Sequence, residues 1–184
     1  MVPQKLLPGD SKNIEMNETI ELRDERAGDR ESIHEVTRLA FAGRPYAGGD
    51  EQDVVDRLRA AGALALSLVA LQGIRLVGQV TFSPAEQADG SGGWFALGPV
   101  SVLPEWQGQG VGASLIEAGL ARLIEMQASG CILTGDPNYY GRFGFKVRPE
   151  LCPDNEPGEF FQLKCLAASE PTGTFSFHPA FYGG

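Results

Sequence analysis

The sequence predicts a mixed α/β (α+β) fold around a central mixed sheet of about six or seven strands. Apolar residues recur at helical spacing in segments that begin near Asp29, Asp50 and Gly110. Apolar runs of strand length lie at 20–23, 63–71, 74–82, 94–102, 131–134, 145–147 and 160–166. Because two helices separate the first strand from a predicted hairpin, helices and strands are interleaved, which is typical of one mixed sheet.

In the first half of the chain, Asp29 and Asp50 are predicted to cap two helices with their side chains. Residues 43–49 are rich in Gly and contain a Pro, so they should separate these helices. A hairpin of the strands 63–71 and 74–82 follows. Residues 83–93 are polar and glycine-rich, which predicts a surface loop.

In the second half, the Gly-Pro pair at 98–99 should interrupt or bulge its strand, because proline donates no ladder hydrogen bond. The long helix 110–127 should end at the glycine of 129–130. Residues 137–143 are predicted to form a turn or short helix. Residues 174–182 are aromatic and are predicted to be extended. We therefore expect one domain over 18–184, preceded by a poorly ordered tail over 1–17.

Composition excludes some classes of function. The formal net charge is −9 and the sequence pI about 4.7, so nucleic-acid phosphates would be repelled and no nucleic-acid partner is expected. Cys131, Cys152 and Cys165 form no metal-binding pattern and are expected as free thiols in a cytoplasmic protein, with no metal. No apolar run approaches membrane length, so no membrane association is expected.

The loop before the long helix, Gln107-Gly108-Gln109-Gly110-Val111-Gly112-Ala113, predicts phosphate binding. Glycines let backbone N–H groups converge, and a helix N-terminus adds free donors and partial positive charge. A simple strand-to-helix turn would need fewer glycines. Gly108, Gly110 and Ala113 also fit the dinucleotide fingerprint G-x-G-x-x-G/A, which would suit a nucleotide-dependent oxidoreductase, but too little chain follows for that domain.

Two motifs resemble the GNAT superfamily of N-acetyltransferases. Residues 107–112 have the form [RQ]-x-x-G-x-[GA] after a Val-x-Pro stretch at 102–104, and residues 140–145 resemble the Y-x-x-x-G-F turn of that superfamily. Residues 97–100 and 135–140 are similar, more narrowly, to a bacterial subgroup called YhbS-like. Where many members have Arg, this chain has Gln107, which adds no charge.

The resemblance implies a GNAT-like fold with about four helices and with two strands splayed at a coenzyme A site. It implies acetyl-CoA as co-substrate and an amine as acceptor, in a monomer or homodimer. The unpaired amides of Val100 and Val102 would bind pantetheine and the acetyl oxygen. The phosphates would meet the glycine loop: Gln107, Gly108, Gln109, Gly110, Val111, Gly112 and Ala113.

Tyr140 matches the tyrosine that protonates the coenzyme sulfur in many members, although an aromatic core residue would fit its neighbours too. Tyr139 is expected to pack. No general base is assigned among the candidates Glu86, Glu105 and Asp136, each of which would also fit as a loop residue or cap. His34 and His178 are expected to be structural.

The acceptor is not specified by the sequence. The loop 43–49, with Arg44 and Tyr46, would shape the acceptor site or serve as a simple connector. A coenzyme A-binding sensor or scaffold without turnover is the alternative function.

Overall fold

The computed structural model describes residues 19–183, so the tail predicted at 1–17 lies outside the described residues. Seven strands form the sheet in the order β1-β2-β3-β4-β5-β7-β6, and an eighth, β8, pairs with β3. The strands are β1 Ile20–Asp24, β2 Leu66–Gln72, β3 Arg75–Gln87, β4 Trp94–Val102, β5 Gly130–Thr134, β6 Lys146–Val147, β7 Phe161–Cys165 and β8 Phe175–Ser176. The mixed α/β sheet predicted from the sequence is confirmed.

In the part of the chain that the structure describes, four α-helices accompany the sheet: α1 Arg30–Phe41, α2 Glu51–Ala60, α3 Val111–Glu125 and α4 Pro137–Tyr140. Successive side chains of a strand point to opposite faces of its sheet. In β3, Gln79 contacts Thr37 of α1, whereas a Cβ added at Gly78 would meet Leu115 of α3 at 3.1 Å. Helices α1 and α3 therefore cover opposite faces of the sheet.

The predicted hairpin is confirmed, but β3 is longer than expected. It continues to Gln87, so the surface loop predicted at 83–93 is wrong for its first five residues. Ser83 is fully buried and pairs with β4, and Gln87 pairs with Phe175 of β8. The polar sequence is misleading here because the aromatic C-terminal segment covers the end of β3.

Both predicted helix caps are wrong. The carboxylate of Asp29 binds the guanidinium of Arg23 at 2.6 Å and the backbone N–H of Arg26 at 2.7 Å, so it supports the short 3-10 turn before α1. Asp50 precedes α2 but accepts from Arg57 at 2.9 Å and caps no backbone N–H. In both cases an arginine competes for the carboxylate that a cap would need.

The end of α3 also differs from the prediction. The chain leaves the helix through Gln127, which has a positive φ of 58°, and not through Gly130. Gly130 begins β5, where an added Cβ would lie 2.3 Å from the ring of Trp94. That glycine is required by close packing between strands.

Strands β4 and β5 separate into a fork. They are parallel neighbours through only three residue pairs, from Trp94–Gly130 to Ala96–Ile132. Beyond Ala96, β4 continues to Val102 with no partner on that side among residues 19–183. The splayed strands expected from the resemblance are therefore present, and α3 begins beside the open end of the fork.

Within the described residues 19–183, no helix is long and apolar enough to cross a membrane. The three cysteines are free; Cys131 and Cys152 are buried, and Cys165 is half-buried.

Candidate active site

The glycine loop has the backbone geometry of an open cradle. Gly108 and Gly110 have φ values of 73° and 85°, in the left-handed region that side chains with a Cβ disfavour. No atom of the described residues lies within 4 Å of a Cβ added at either glycine, so these residues leave the space beside both glycines open. Both glycines are thus required for their conformation, and the space above the loop is available to a ligand.

The glycine loop ends in three free amides, which belong to the first turn of α3. The first residue of the helix to donate an α-helical bond is Ser114, whose N–H binds the carbonyl of Gly110 at 2.9 Å. Val111, Gly112 and Ala113 precede it, in the turn where a helix leaves its N–H groups without intrahelical acceptors. The helix dipole adds partial positive charge at the same place, so this end of α3 favours an anion.

The amides of Val100 and Val102 point into the fork. Hydrogen-bonded and non-hydrogen-bonded pairs alternate along an antiparallel ladder. The N–H of Leu103 binds the carbonyl of Val77 at 2.9 Å, and the register then continues through Val102–Gly78 to Val100–Val80. Val102 and Val100 therefore occupy the non-hydrogen-bonded positions, and their N–H groups face away from β3. Their assignment to coenzyme binding stays a prediction.

A bulge precedes these two amides, as the Gly-Pro pair predicted. The β3–β4 register shifts between Val80 and Phe82, and the Gly98–Pro99 peptide bond is cis. The extra residue bends β4 at the point where it leaves β5.

Tyr140 lies beside the fork. Its ring packs on Gly135, where an added Cβ would lie 2.6 Å from the ring, and contacts the ring of Phe145 at a centroid distance of 6.1 Å. Burial raises the pKa of the Tyr140 hydroxyl, and Tyr139, Tyr46 and Cys131 raise it further. Gly135 directly follows β5, beyond the last pair of β5 with β4, so the Tyr140 ring lies beside the unpaired end of β5. The packing and catalytic interpretations of Tyr140 are thus compatible.

Tyr139 has a position that the sequence did not indicate. A Cβ added at Gly112 would lie 3.3 Å from the Tyr139 hydroxyl, which places this hydroxyl against the first turn of α3. The guanidinium of Arg142 stacks over the same ring at 4.6 Å from its centroid. Tyr139 therefore packs, as expected, but it does so at the edge of the glycine loop.

The loop 43–49 reaches the glycine loop through Arg44. A guanidinium nitrogen of Arg44 donates to the side-chain oxygen of Gln107 at 2.5 Å, and the Gln107 amide donates to the carbonyl of Val102 at 2.9 Å. Tyr46, two residues after Arg44, is close enough to Tyr140 to raise its pKa. The loop 43–49 thus contacts the glycine loop directly, at the start of α3.

None of the three candidate carboxylates fits a general base at the fork. Glu86 lies six residues along β3 from Val80, about 20 Å away at about 3.3 Å per residue. The pKa of Glu105 is lowered by a backbone hydrogen bond and by Arg75, whose guanidinium lies at 2.5 Å. Asp136 accepts from the backbone N–H of Asn138 at 2.9 Å and caps α4.

The two histidines are structural, but His34 has a partner that the sequence did not reveal. Its Nδ1 lies 2.7 Å from Asp56, and the pair forms one potential cation cluster with Asp53. Arg59 already binds Asp56 at 2.7 Å, and its positive charge disfavours a metal ion there. His178 accepts from the backbone N–H of Ala180 at 3.1 Å and caps the final 3-10 helix.

Comparisons with known proteins give the class of this fold. The sequence profile of the family described as "Acetyltransferase (GNAT) domain" matches residues 64–147. A GNAT family acetyltransferase from Brucella melitensis, solved in complex with acetyl-CoA, has a TM-score of 0.80 and 41% identity, covering 89% of this chain and 99% of that one. The YhbS N-acetyltransferase from Escherichia coli, solved in complex with CoA, has a TM-score of 0.80 and 30% identity, covering 89% of this chain and 92% of that one.

Sequence relatives agree with the structures. "Uncharacterized N-acetyltransferase YhbS" of Escherichia coli strain K12 is 33% identical over 109 residues, which are 59% of this chain and 65% of that relative. The match thus spans just under two thirds of the relative's length. The chain belongs to the GNAT acetyltransferase family, and the resemblance to its YhbS-like members is confirmed.

Proposed function

We propose that the protein is an acetyl-CoA-dependent N-acetyltransferase that transfers an acetyl group to a primary amine. The observation that carries this proposal is the fork, where two strand amides face an open gap beside the N-terminus of α3. Similar proteins were solved with acetyl-CoA and with CoA, which supports the same ligand here.

The loop and fork fit the two halves of the coenzyme. Its phosphates would lie over the cradle at Gly108 and Gly110 and accept from the free amides at the start of α3. Gln107 and Gln109 would border this cradle. Pantetheine would run along β4, hydrogen bonded to the amide of Val102, and place the acetyl oxygen at Val100.

The chemistry requires a donor for the carbonyl oxygen and one for the leaving sulfur. The N–H of Val100 would stabilise the oxyanion that forms when a neutral amine attacks the thioester. The hydroxyl of Tyr140 would donate to the departing thiolate, since its raised pKa keeps it protonated at neutral pH. Because the pKa of Tyr140 is higher than that of a thiol, full proton transfer from Tyr140 to the thiolate is unfavourable. Hydrogen-bond donation to the thiolate would therefore be its main contribution.

The acceptor would enter from the side of the loop 43–49. Tyr46 is exposed, and Arg44 of the same loop binds Gln107 at 2.5 Å, so this loop borders the proposed coenzyme site. The loop therefore fits a role in acceptor recognition better than that of a connector.

One observation favours the alternative, a coenzyme A-binding sensor or scaffold. None of the candidate bases within residues 19–183 reaches the fork: Glu86 is distant, Glu105 is held by Arg75, and Asp136 caps α4. A water molecule would then have to carry the amine proton for turnover to occur.

A thiol-release assay with acetyl-CoA and a panel of small amines and peptides separates the two functions. We expect amine-dependent release of coenzyme A. If calorimetry shows that acetyl-CoA binds but no acceptor of the panel causes release of coenzyme A, the sensor function would be favoured. If neither acetyl-CoA nor coenzyme A binds, both functions would be contradicted.

A further inference from the structure

At the bulge in β4, two buried side chains of β3 bind two consecutive backbone carbonyls. The hydroxyl of Thr81 donates to the carbonyl of Gly98 at 2.8 Å. The side-chain amide of Gln79 donates to the carbonyl of Pro99 at 3.2 Å. Both side chains are completely buried. We call Gln79 and Thr81 the bulge clamp.

The orientation of the Gln79 amide is fixed by its partners. A carbonyl oxygen only accepts, so the nitrogen of Gln79 must face Pro99. The same nitrogen lies 2.6 Å from the hydroxyl of Ser101. The side-chain oxygen of Gln79 is buried and has no partner among residues 19–183. An unpaired buried acceptor is destabilising, so fold stability alone does not explain a glutamine here.

The clamp also holds the direction of the next amide, in agreement with the strand register. The Pro99–Val100 peptide bond is trans, and in a trans peptide the C=O and N–H groups point in opposite directions. Because Gln79 holds the carbonyl of Pro99 toward β3, the N–H of Val100 is held toward the fork.

We propose that Gln79 and Thr81 are positioning residues for the oxyanion donor, acting through the backbone of the bulge. This inference rests on the proposed function, since it needs an acetyl thioester at the fork. An oxyanion donor must be aimed in advance at the point where charge develops. Without the clamp, the freed carbonyls would seek other partners and turn the Val100 amide away from the acetyl oxygen.

The test uses the acetyl carbonyl itself as the probe. Infrared spectra of acetyl-CoA labelled with ¹³C at its carbonyl are recorded free and bound to the full-length protein. A hydrogen bond from Val100 should shift the bound carbonyl band to lower frequency. Gln79→Met and Thr81→Val keep side-chain size and remove the donor, and each should lose most of that shift while calorimetry shows acetyl-CoA affinity within about threefold of the original.

Turnover gives a second measurement once an amine acceptor is identified. The kcat of either variant should fall about tenfold or more, since loss of a complete oxyanion donor costs about a hundredfold or more. Gln87→Met is the matched control. Gln87 also lies in β3, is buried, and donates to the carbonyl of Thr172 at 2.7 Å, far from the bulge.

The outcomes are distinct. If the unmodified protein does not bind acetyl-CoA, the proposed function fails first. If it binds and both clamp variants retain the band shift, or Gln87→Met loses it equally, the positioning role is overturned. A greater than tenfold loss of acetyl-CoA affinity in both variants would overturn it as well, because the clamp would then support binding in general.

Discussion

At the scale of single residues, Tyr140 combines two roles that the sequence alone presents as alternatives. Its ring is packed on Gly135 and against Phe145, and its hydroxyl has no hydrogen-bond partner among residues 19–183. A packed ring with a free hydroxyl near the fork is well held for donation to the departing sulfur.

The variant Tyr140→Phe keeps the ring and removes the donor. We expect kcat to fall about tenfold to a hundredfold, with the dissociation constant of acetyl-CoA unchanged, because the hydroxyl acts on the leaving thiolate. Steady-state kinetics and calorimetry measure the two quantities. Tyr182→Phe, which removes a hydroxyl bound to Glu156 at 2.9 Å, is the control. An unchanged kcat in Tyr140→Phe would exclude the role.

The raised pKa of Tyr140 also predicts a pH profile. Burial raises this pKa above the usual value of 10.0, so the hydroxyl stays protonated throughout the range from pH 7 to 10. Its contribution to folding is complete below the unfolded pKa near 10 and is lost as pH rises toward the folded value. The pH–rate profile of kcat should therefore show no decline caused by Tyr140 below pH 10. A decline there that disappears in Tyr140→Phe would contradict this assignment.

At the scale of elements, α3 packs against Phe82 of β3 at Gly119, a residue that has no Cβ. A Cβ added at Gly119 would lie 2.2 Å from the ring of Phe82, which is completely buried. The close contact holds α3, and with it the glycine loop, against β3.

The variant Gly119→Ala tests this contact. Alanine favours a helix by up to about 1 kcal/mol, but the clash with Phe82 should outweigh this gain and lower the free energy of unfolding by about 1–3 kcal/mol. Chemical denaturation measures the difference. Gly28→Ala is the control, since a Cβ added at Gly28 has no neighbouring atom within 4 Å among residues 19–183. Equal stability of the two variants would show that Phe82 moves aside freely.

The α1–α2 loop supplies a charge that the glycine loop lacks. Arg44 binds the neutral Gln107, and among residues 19–183 it has no carboxylate partner, whereas Arg38 is paired with Glu35 at 2.7 Å. We expect the free guanidinium to interact with the phosphates of the coenzyme.

The variant Arg44→Gln should therefore weaken acetyl-CoA binding about threefold to tenfold, the effect of one solvent-exposed charge-assisted contact. Turnover of S-acetylpantetheine, which lacks the nucleotide phosphates, should be unaffected. Arg38→Gln is the matched control on the preceding helix. Equal losses with both thioesters would place Arg44 in a role other than phosphate recognition.

At the scale of the whole molecule, an acidic chain must bind a polyanionic coenzyme. The formal net charge is −9, so local donors at the start of α3 have to overcome unfavourable long-range repulsion. Binding should consequently be sensitive to the few cations and free amides near the loop.

Thermal unfolding distinguishes the possible coenzymes. Acetyl-CoA at a hundredfold excess over its dissociation constant should stabilise the fold by about 2.7 kcal/mol, which raises Tm by roughly 5–10 °C for a domain of this size. NAD should cause no comparable shift. Stabilisation by NAD and not by acetyl-CoA would revive the dinucleotide interpretation of the glycine loop.

Much of the fold could be predicted because the signals were local. The periodicity of α3, the hairpin and the Gly-Pro bulge each depend on neighbouring residues. The errors came from competing partners. Arg23 and Arg57, six and seven residues away along the chain, bind the carboxylates of Asp29 and Asp50. Strand β8 pairs with a segment that looks like a polar loop and makes it the end of β3.

For the site, the sequence by itself determined the glycine loop and the tyrosine turn, and these two motifs identify the family. Short motifs of this kind are sufficient because they specify a local backbone conformation and the ligand that this conformation binds. Only the tertiary structure decided which way the amides of Val100 and Val102 point, since that direction depends on strand register. It also brought Gln79 to the bulge and Arg44 to Gln107, contacts between residues 20 and 63 positions apart. Such contacts leave no local pattern in a sequence, because folding alone brings their partners together.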